Sequence, residues 1–411
     1  MSHATVALSL AFSLGLITCV AVSHAAPLPP PDAPQAKPHK ALLIGVDGLQ
    51  YEKLRQAIKQ GMAPNLARLQ LAKSYVGGID GTTTEQTTGS GPGWTTILTG
   101  SWVDRHKVPS NNDEWRNQAP SVFKQLKLAD PQRKTASIVS WNTINHNFTD
   151  DIANGYIDLA VDCAEDDQCV ADKTGEELEH GQSDLVFVHL DETDTVGHRD
   201  GFSPAYQQAI QSVDNHVGQL LAALSRRQVT HPQEDWLVIV APDHGRRLPD
   251  GHDHGKQTLS EKTTFIALNK PGNAQLTAPI AHPTNPAHKG LYGYASQADI
   301  TPTLLAHLGA LPAAAQYSMD GLPLTGPVGA RQLTVRQLPG RTDVKLTWHA
   351  DRPTGTPVQI YRNGEPIATL KDTQQAYVDT GTQALEGPVN YTVVVHQVPV
   401  SRLIILGDKA H

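Results

Sequence analysis

Lysine and arginine are in deficit. The 411-residue chain has 33 of them against 41 Asp and Glu, a formal net charge of −8. That balance argues against a protein that grips duplex nucleic acid by broad electrostatics. Cysteine is scarcer still, at three residues. Past the N-terminus there is no long apolar run, so no later segment is a candidate membrane span. No short internal repeat is visible, which sets repeat architectures aside.

The one sizeable apolar run lies at the start. Residues 6–22 are largely apolar and too short for a comfortable span. Ser23-His24-Ala25 puts small residues at the minus-three and minus-one positions before Ala26. Residues 1–25 therefore read as a secretory signal peptide, with an atypical start that has His3 but no Lys or Arg. A lipoprotein role for Cys19 is the weaker alternative, because the residue before it fits poorly. Residues 26–38 read as a proline-rich extended leader. The expected location is periplasmic or secreted. After cleavage Cys163 and Cys169 would remain, in a polar loop over 162–169. Two near cysteines in an exported chain favour a local disulfide, and no His accompanies them to favour a metal.

Hydrophobic residues make up 39% of the chain and charged residues 18%. At this length, one large globular domain with a small one is expected. Residues 40–46 are a largely apolar run ending at Asp47-Gly48, which predicts a buried parallel strand with an acid at its carboxyl end. Residues 135–141, 184–190, 236–241 and 264–268 predict further strands. Asp191-Glu192-Thr193-Asp194 follows one of them and Pro242-Asp243-His244-Gly245 another. Helices are predicted at 51–58, 64–69, 203–224 and 300–308. Within 203–224, Tyr206, Ile210, Val213, Val217, Leu220 and Leu224 share one face and form a core stripe. Alternating strands and helices give an open α/β sheet, whose ligands bind outside the carboxyl ends of the strands. Asp47, Asp194 and Asp243 would meet on that edge.

The pattern changes after about Gly326. Residues 331–349, 357–370 and 389–395 alternate, with an Asn363-Gly364 hairpin signal. Residues 331–407 predict a small β-sandwich that resembles a fibronectin type III domain. It carries no chemical cluster.

Residues 82–100 are crowded with hydroxyls and glycines. They pass through Gly89-Ser90-Gly91-Pro92-Gly93 into a segment able to continue as a helix, with Pro92 tolerated in its first turn. A serine there stands beside free N–H groups and the positive end of the helix dipole, where a hydroxyl can attack and an anion can be held. A plain serine N-cap is the alternative. Acids and histidines gather in four further pieces, at Asp47, Asp194 to His198, Asp243-His244 and His252 to His254. Three Asp and three His with a serine hydroxyl suit two divalent cations, zinc being expected from the mixed O and N donors.

In these pieces the chain resembles the alkaline phosphatase superfamily, and within it the nucleotide pyrophosphatase/phosphodiesterase (type I phosphodiesterase) group. The resemblance covers about residues 39–325, in the right order. It implies an alkaline-phosphatase-like catalytic domain over 39–326: an open sheet flanked by helices. Ser90 matches the nucleophile, two residues before Pro92 and upstream of Thr99-Gly100. Asn111 falls where an Asn binds the phosphoryl oxygen, and His106-Lys107 stands where the family has His-Gly. Asp194 to His198 matches Asp-x-x-Gly-His, and the Gly after His254 selects it over His252. The resemblance implies one metal held by Asp194, His198 and His254, and another by Asp47, Asp243, His244 and Ser90. It implies a metal-dependent hydrolase of small phosphate esters, working through a phosphoryl-enzyme on Ser90, with Asn111 and the Gly91 N–H on the phosphoryl oxygens.

The departures narrow the chemistry. Gly93 stands where the group often has Asn. Trp94 stands where sulfatases have the Arg their nucleophile's maturation needs, which argues against a sulfatase. Trp141-Asn142-Thr143 lacks the cation that some superfamily monoesterases carry there. A diester or pyrophosphate substrate is therefore favoured over a monoester. Arg105, Lys107, Arg246 and Arg247 are the residues that could supply the missing charge. Trp94 and Trp141 are either stacking faces for a leaving group or core residues. A non-catalytic secreted binding protein is the rival from another class, and the complete ligand set argues against it. The oligomeric state is not legible.

Overall fold

The computed structural model describes Met1 and residues 38–407. The expected signal peptide and proline-rich leader lie outside the described residues. The main strands are β1 (His39–Val46), β2 (Gln70–Tyr75), β3 (Thr135–Val139), β4 (Leu159–Asp162), β5 (Leu185–Leu190), β6 (Asp235–Ala241), β7 (Thr263–Leu268) and β8 (Ala295–Ser296). They form one sheet in the order β4-β3-β5-β1-β6-β7-β2-β8. β1 runs parallel to both β5 and β6, with Gly45 opposite His189 on one side and Ala241 on the other. Leu42, Ile44 and Val46 pack on one face with Tyr206, Val213 and Val217. Ala41 and Leu43 pack on the other with Trp94, Ile97 and Leu98. Burial on both faces is why these strands read as apolar runs.

The long helix Pro204–Thr230 carries the whole predicted stripe inward. Ser203 caps it by accepting the Tyr206 N–H. It outlasts the predicted end because Arg227 is buried in a two-pronged pairing with Glu234, at 2.6 and 2.8 Å. The predicted helix at 64–69 is only a short turn, Leu66–Arg68. The Asp214 carboxylate caps its start by accepting the Asn65 and Leu66 N–H groups, and after an extended Leu69 the chain becomes β2, antiparallel to β7. The polar loop at 162–169 is partly helical. Asp166 accepts the N–H groups of Gln168 and Cys169 and starts the helix Asp167–His180. The Cys163–Cys169 disulfide joins that helix to the end of β4, with Cα atoms 5.7 Å apart.

Downstream lie β9 (Arg331–Gln337), β10 (Val344–His349), β11 (Val358–Arg362), β12 (Glu365–Leu370), β13 (Ala376–Asp379), β14 (Gly387–Val395) and β15 (Val398–Leu406). They make two antiparallel sheets, β13-β10-β9 and β12-β11-β14-β15. Leu346, Trp348, Ile360, Tyr391 and Val393 pack into a separate hydrophobic cluster. Arg105 joins this unit to the larger sheet region. It pairs with Asp320 and donates to Asn390 at 2.8 Å and Ser401 at 3.2 Å. Among the described residues no helix is long and apolar enough to cross a membrane.

Candidate active site

The carboxyl ends of β1, β5 and β6 are adjacent, and the acids that follow them converge. The Asp47 N–H bonds the Leu190 carbonyl at 2.9 Å, and the Gly48 N–H donates to Asp243 Oδ1 at 3.2 Å. Asp194 lies on the helix Glu192–Asp200 that follows β5, with His198 one turn on. Asp47, Asp194, Asp243 and His244 are all buried.

Ser90 is the first residue of the helix Ser90–Thr99, and the N-cap is Gly89, whose position makes no side-chain cap. The plain capping role is therefore not what the Ser90 hydroxyl does. Its Oγ lies 3.3 Å from His244 Nε2. That same nitrogen is 3.3 Å from Asp47 Oδ1 and 3.4 Å from Asp243 Oδ2. Ligands on a tetrahedral ion with bonds of about 2.0–2.2 Å are separated by roughly 3.3–3.6 Å, so His244 Nε2 stands at a shared-ligand distance from each of the three oxygens. Asp47 Oδ1 and Asp243 Oδ2 are also buried without any hydrogen-bond partner. His244 Nδ1 faces the Gly245 carbonyl at 2.9 Å, which leaves the Nε2 lone pair for a metal. The donor set fits a divalent ion.

A second group adjoins the first. His198 Nε2 is 3.2 Å from Asp194 Oδ2 and 3.0 Å from His254 Nε2. His254 Nδ1 faces the Thr88 carbonyl at 2.7 Å, again freeing Nε2. The rings of His244 and His254 stack at 3.6 Å. His252 turns away, its Nδ1 3.2 Å from the His198 carbonyl.

Protons alone serve this cluster badly. Burial would keep His244 neutral, but Asp243, Asp47 and Asp194 push it up to about 10. Burial and the charge of His244 push its stacked neighbour His254 down to about 4. Burial, with Asp47 beside it, raises Asp243 well above the carboxylate range. Despite burial, His189 and His244 hold Asp47 well below that range. Such opposed pulls within a few Å mark a charge arrangement that divalent cations relieve.

Three supporting residues were not assigned these roles from sequence. Trp94 is a core residue, and it also donates from Nε1 to Asp47 Oδ2 at 2.9 Å, so it holds a carboxylate from within the core and offers no open stacking face. His189, in β5, approaches the same oxygen at 3.0 Å. A histidine inside the apolar run Val186-Phe187-Val188-His189-Leu190 was the available signal. Arg246 is fully buried, and its guanidinium contacts Asp194 Oδ1, the Gly251 carbonyl and the His252 carbonyl. It points inward, as the sequence allowed, but its donors brace a ligand and a loop. Arg105 is engaged with the C-terminal sheets, and Arg247 with Asp253. Lys107 is exposed and adopts φ 61°, the left-handed region where the family's Gly is at ease. Asn111 is exposed, and its Oδ1 accepts the Gly91 N–H at 2.7 Å. The two groups expected on phosphoryl oxygens thus bond each other here.

The model of the type I phosphodiesterase / nucleotide pyrophosphatase family matches residues 41–283, more than half of the chain. The chain belongs to this family. The family falls within the alkaline phosphatase superfamily, and the open sheet flanked by helices agrees with that fold class. The chain is 27% identical over 198 residues to GPI ethanolamine phosphate transferase 3 of Eremothecium gossypii. That match covers 46% of this chain and 18% of that protein, so the chain spans about a fifth of the length of the curated relative it matches. Solved structures of similar shape include a 2-O GAG sulfatase, at 13% identity and a TM-score of 0.49, covering 90% of this chain and 83% of that one. Murine ectonucleotide pyrophosphatase / phosphodiesterase 5 gives 17% and 0.36, covering 50% and 57%. The alkaline phosphatase of the Antarctic bacterium TAB5 gives 11% and 0.43, covering 67% and 98%.

Proposed function

We propose that this chain is an exported, metal-dependent phosphodiesterase or nucleotide pyrophosphatase with Ser90 as nucleophile. One observation carries the reading. The Ser90 hydroxyl, at the start of a buried helix, faces His244 Nε2, and that nitrogen also stands 3.3 and 3.4 Å from two carboxylate oxygens without partners. Asp47, Asp243, His244 and Ser90 would hold one divalent ion, and Asp194, His198 and His254 a second, zinc being the best match to these donors. Bound there, such ions supply Lewis acidity, lower the pKa of a hydroxyl and offset phosphoryl charge.

The chain's own groups do the rest. The Ser90 hydroxyl faces His244 and does not cap its helix, which leaves its oxygen to attack phosphorus opposite the departing ester oxygen. Ser90 gives up its proton to solvent and forms a new O–P bond as the ester O–P bond breaks, the departing oxygen keeping the electron pair and taking a proton from water. Water then hydrolyses the phosphodiester left on Ser90 and releases the phosphate monoester. The N-terminal N–H groups of Ser90–Thr99 present a positive dipole end to the phosphoryl oxygens. Asn111 can join them by turning its amide from Gly91, which would free that N–H as well.

Diesters are the favoured substrates. A monoester brings an additional anionic oxygen, and a buried anion without a partner costs several kcal/mol. Arg105, Arg246 and Arg247 are already committed to carboxylates and carbonyls. The monoesterase alternative therefore rests on Lys107. Export is supported by the Cys163–Cys169 disulfide, which oxidising compartments preserve.

Ser90→Ala tests the nucleophile. Turnover of bis-para-nitrophenyl phosphate should fall at least a thousandfold, about 4 kcal/mol of barrier, while zinc content largely survives. Turnover within tenfold of the parent would move the nucleophile elsewhere. The kcat/KM ratio of that diester to para-nitrophenyl phosphate should exceed one, and a ratio well below one would make this a monoesterase.

A further inference from the structure

Beside the disulfide, an open cleft is lined by Glu165, Asp166, Asp167, Asp191 and Glu192, together with Arg199 and His216. A ring nitrogen of His216 and one carboxylate oxygen each of Asp167 and Glu192 all lie within 4.8 Å of one another. The three residues come from three helices, Asp167–His180, Glu192–Asp200 and Pro204–Thr230. None belongs to the Ser90 cluster.

Ordinary roles explain part of this. The Asp167 carboxylate accepts the N–H groups of Asp191 at 2.8 Å and Glu192 at 3.0 Å, so it caps the helix that carries Asp194. Glu192 in that helix's first turn suits the dipole. Neither role accounts for His216. It is 7% exposed, and its Nδ1 is buried with no hydrogen-bond partner. A buried imidazole nitrogen without a partner, on a ring that stands beside two carboxylates, is a costly arrangement unless something binds there.

We propose that this cleft is a divalent-cation site, held by Asp167, Glu192 and His216 and separate from the metals of the Ser90 cluster. Each carboxylate oxygen has a lone pair beyond the one an N–H group occupies. Five acids line the cleft against Arg199 alone, itself paired with Asp200 at 2.7 Å, which favours a cation over any anion. Mixed carboxylate and imidazole donors suit zinc, cobalt or manganese, whereas calcium takes oxygen ligands throughout. A bound ion would tie the helix bearing Asp194 and His198 to the two helices behind it, and so brace half of the active-site cluster from outside.

The test counts ions in the full chain. Chelator-stripped protein is reloaded with zinc, freed of excess and analysed by inductively coupled plasma mass spectrometry. His216→Gln and Glu192→Gln should each hold about one zinc per chain fewer than the parent. A chain carrying Asp47→Asn, Asp243→Asn and His254→Ala, with both ion positions of the Ser90 cluster weakened, should still be raised in Tm by zinc, and adding His216→Gln should reduce that rise. Parent-like zinc content in both single variants would overturn the site, as would a Tm rise left unchanged by adding His216→Gln. If circular dichroism shows His216→Gln misfolded, Glu192→Gln decides, because Glu192 is only partly buried at a helix start.

Discussion

Trp94→Phe should weaken metal binding without touching a metal ligand. The indole Nε1 donates to Asp47 Oδ2, and His189 is the other group on that oxygen. Both hold the carboxylate so that Oδ1 points at His244. Phenylalanine keeps a ring in the pocket and deletes the N–H. A hydrogen bond to a charged group is worth about 1.5–3 kcal/mol, and loss of an outer partner typically lowers metal affinity ten- to hundredfold. With His189 still in place, the lower end is expected, a rise of about tenfold in the zinc Kd, or roughly 1.4 kcal/mol. Competition with a chromogenic chelator reads it directly. The smaller ring also loses packing against β1, so thermal unfolding of metal-free protein should be followed on parent and Asp47→Asn backgrounds. Packing loss appears in both, whereas the Trp94–Asp47 coupling appears only on the parent background. A coupling below about 0.5 kcal/mol together with an unchanged zinc Kd would refute the positioning role.

Further outcomes follow from the same geometry. His254→Ala should lower zinc content more than His252→Ala, since only His254 aims Nε2 at the cluster; equal losses by mass spectrometry would overturn the choice. Lys107→Ala should leave diester kcat/KM within about twofold, less than 0.5 kcal/mol of barrier. A tenfold or greater fall for para-nitrophenyl phosphate alone would identify it as the monoester cation. We propose that residues 39–326 and 331–407 are separable units, so a chain ending at 330 should fold and turn over. It should unfold at lower temperature, because Ser401 and Asn390 no longer cover the Met319 and Tyr317 carbonyls. An inactive, insoluble product would show that the two units complete each other.

The strands beside the site were legible because they are buried on both faces and short acidic segments follow them. β1, β5 and β6 needed only an apolar run and its ending. β2 was not legible. Gln70-Leu71-Ala72-Lys73-Ser74-Tyr75 has no strong strand signal, and antiparallel pairing with β7 makes it a strand. The short β4 and two-residue β8 were likewise invisible, since little but their pairing marks them. Cys163 and Cys169 suggested a disulfide by proximity, but the helix that begins between them depends on the Asp166 cap, which reads in sequence as one more loop acid.

The ligands announced themselves by residue type and the groups that aim them did not, and two glycines show why. At Gly45 a Cβ would stand 2.4 Å from the Trp94 ring. At Gly197 a Cβ would stand 2.4 Å from the Arg246 guanidinium carbon. In sequence Gly45 is a small residue inside a strand and Gly197 part of a family spacing. In space each is the clearance that lets a large side chain reach a ligand: Trp94 reaches Asp47 and Arg246 reaches Asp194. The two supports differ in charge, and the difference matters. Trp94 offers a neutral N–H, whereas Arg246 brings a full positive charge into contact with Asp194, which with Asp47 and Asp243 makes up the buried carboxylates of the cluster. That charge opposes a second divalent ion on the Asp194, His198 and His254 side more than on the Asp47 side. Stepwise zinc loading should therefore fill the Asp47, Asp243 and His244 group first. Arg246→Met, which keeps much of the stem and removes the charge, should narrow the gap between the two zinc affinities. A wider gap would mean that the guanidinium helps the second ion by holding Asp194 in place more than it hinders it by repulsion.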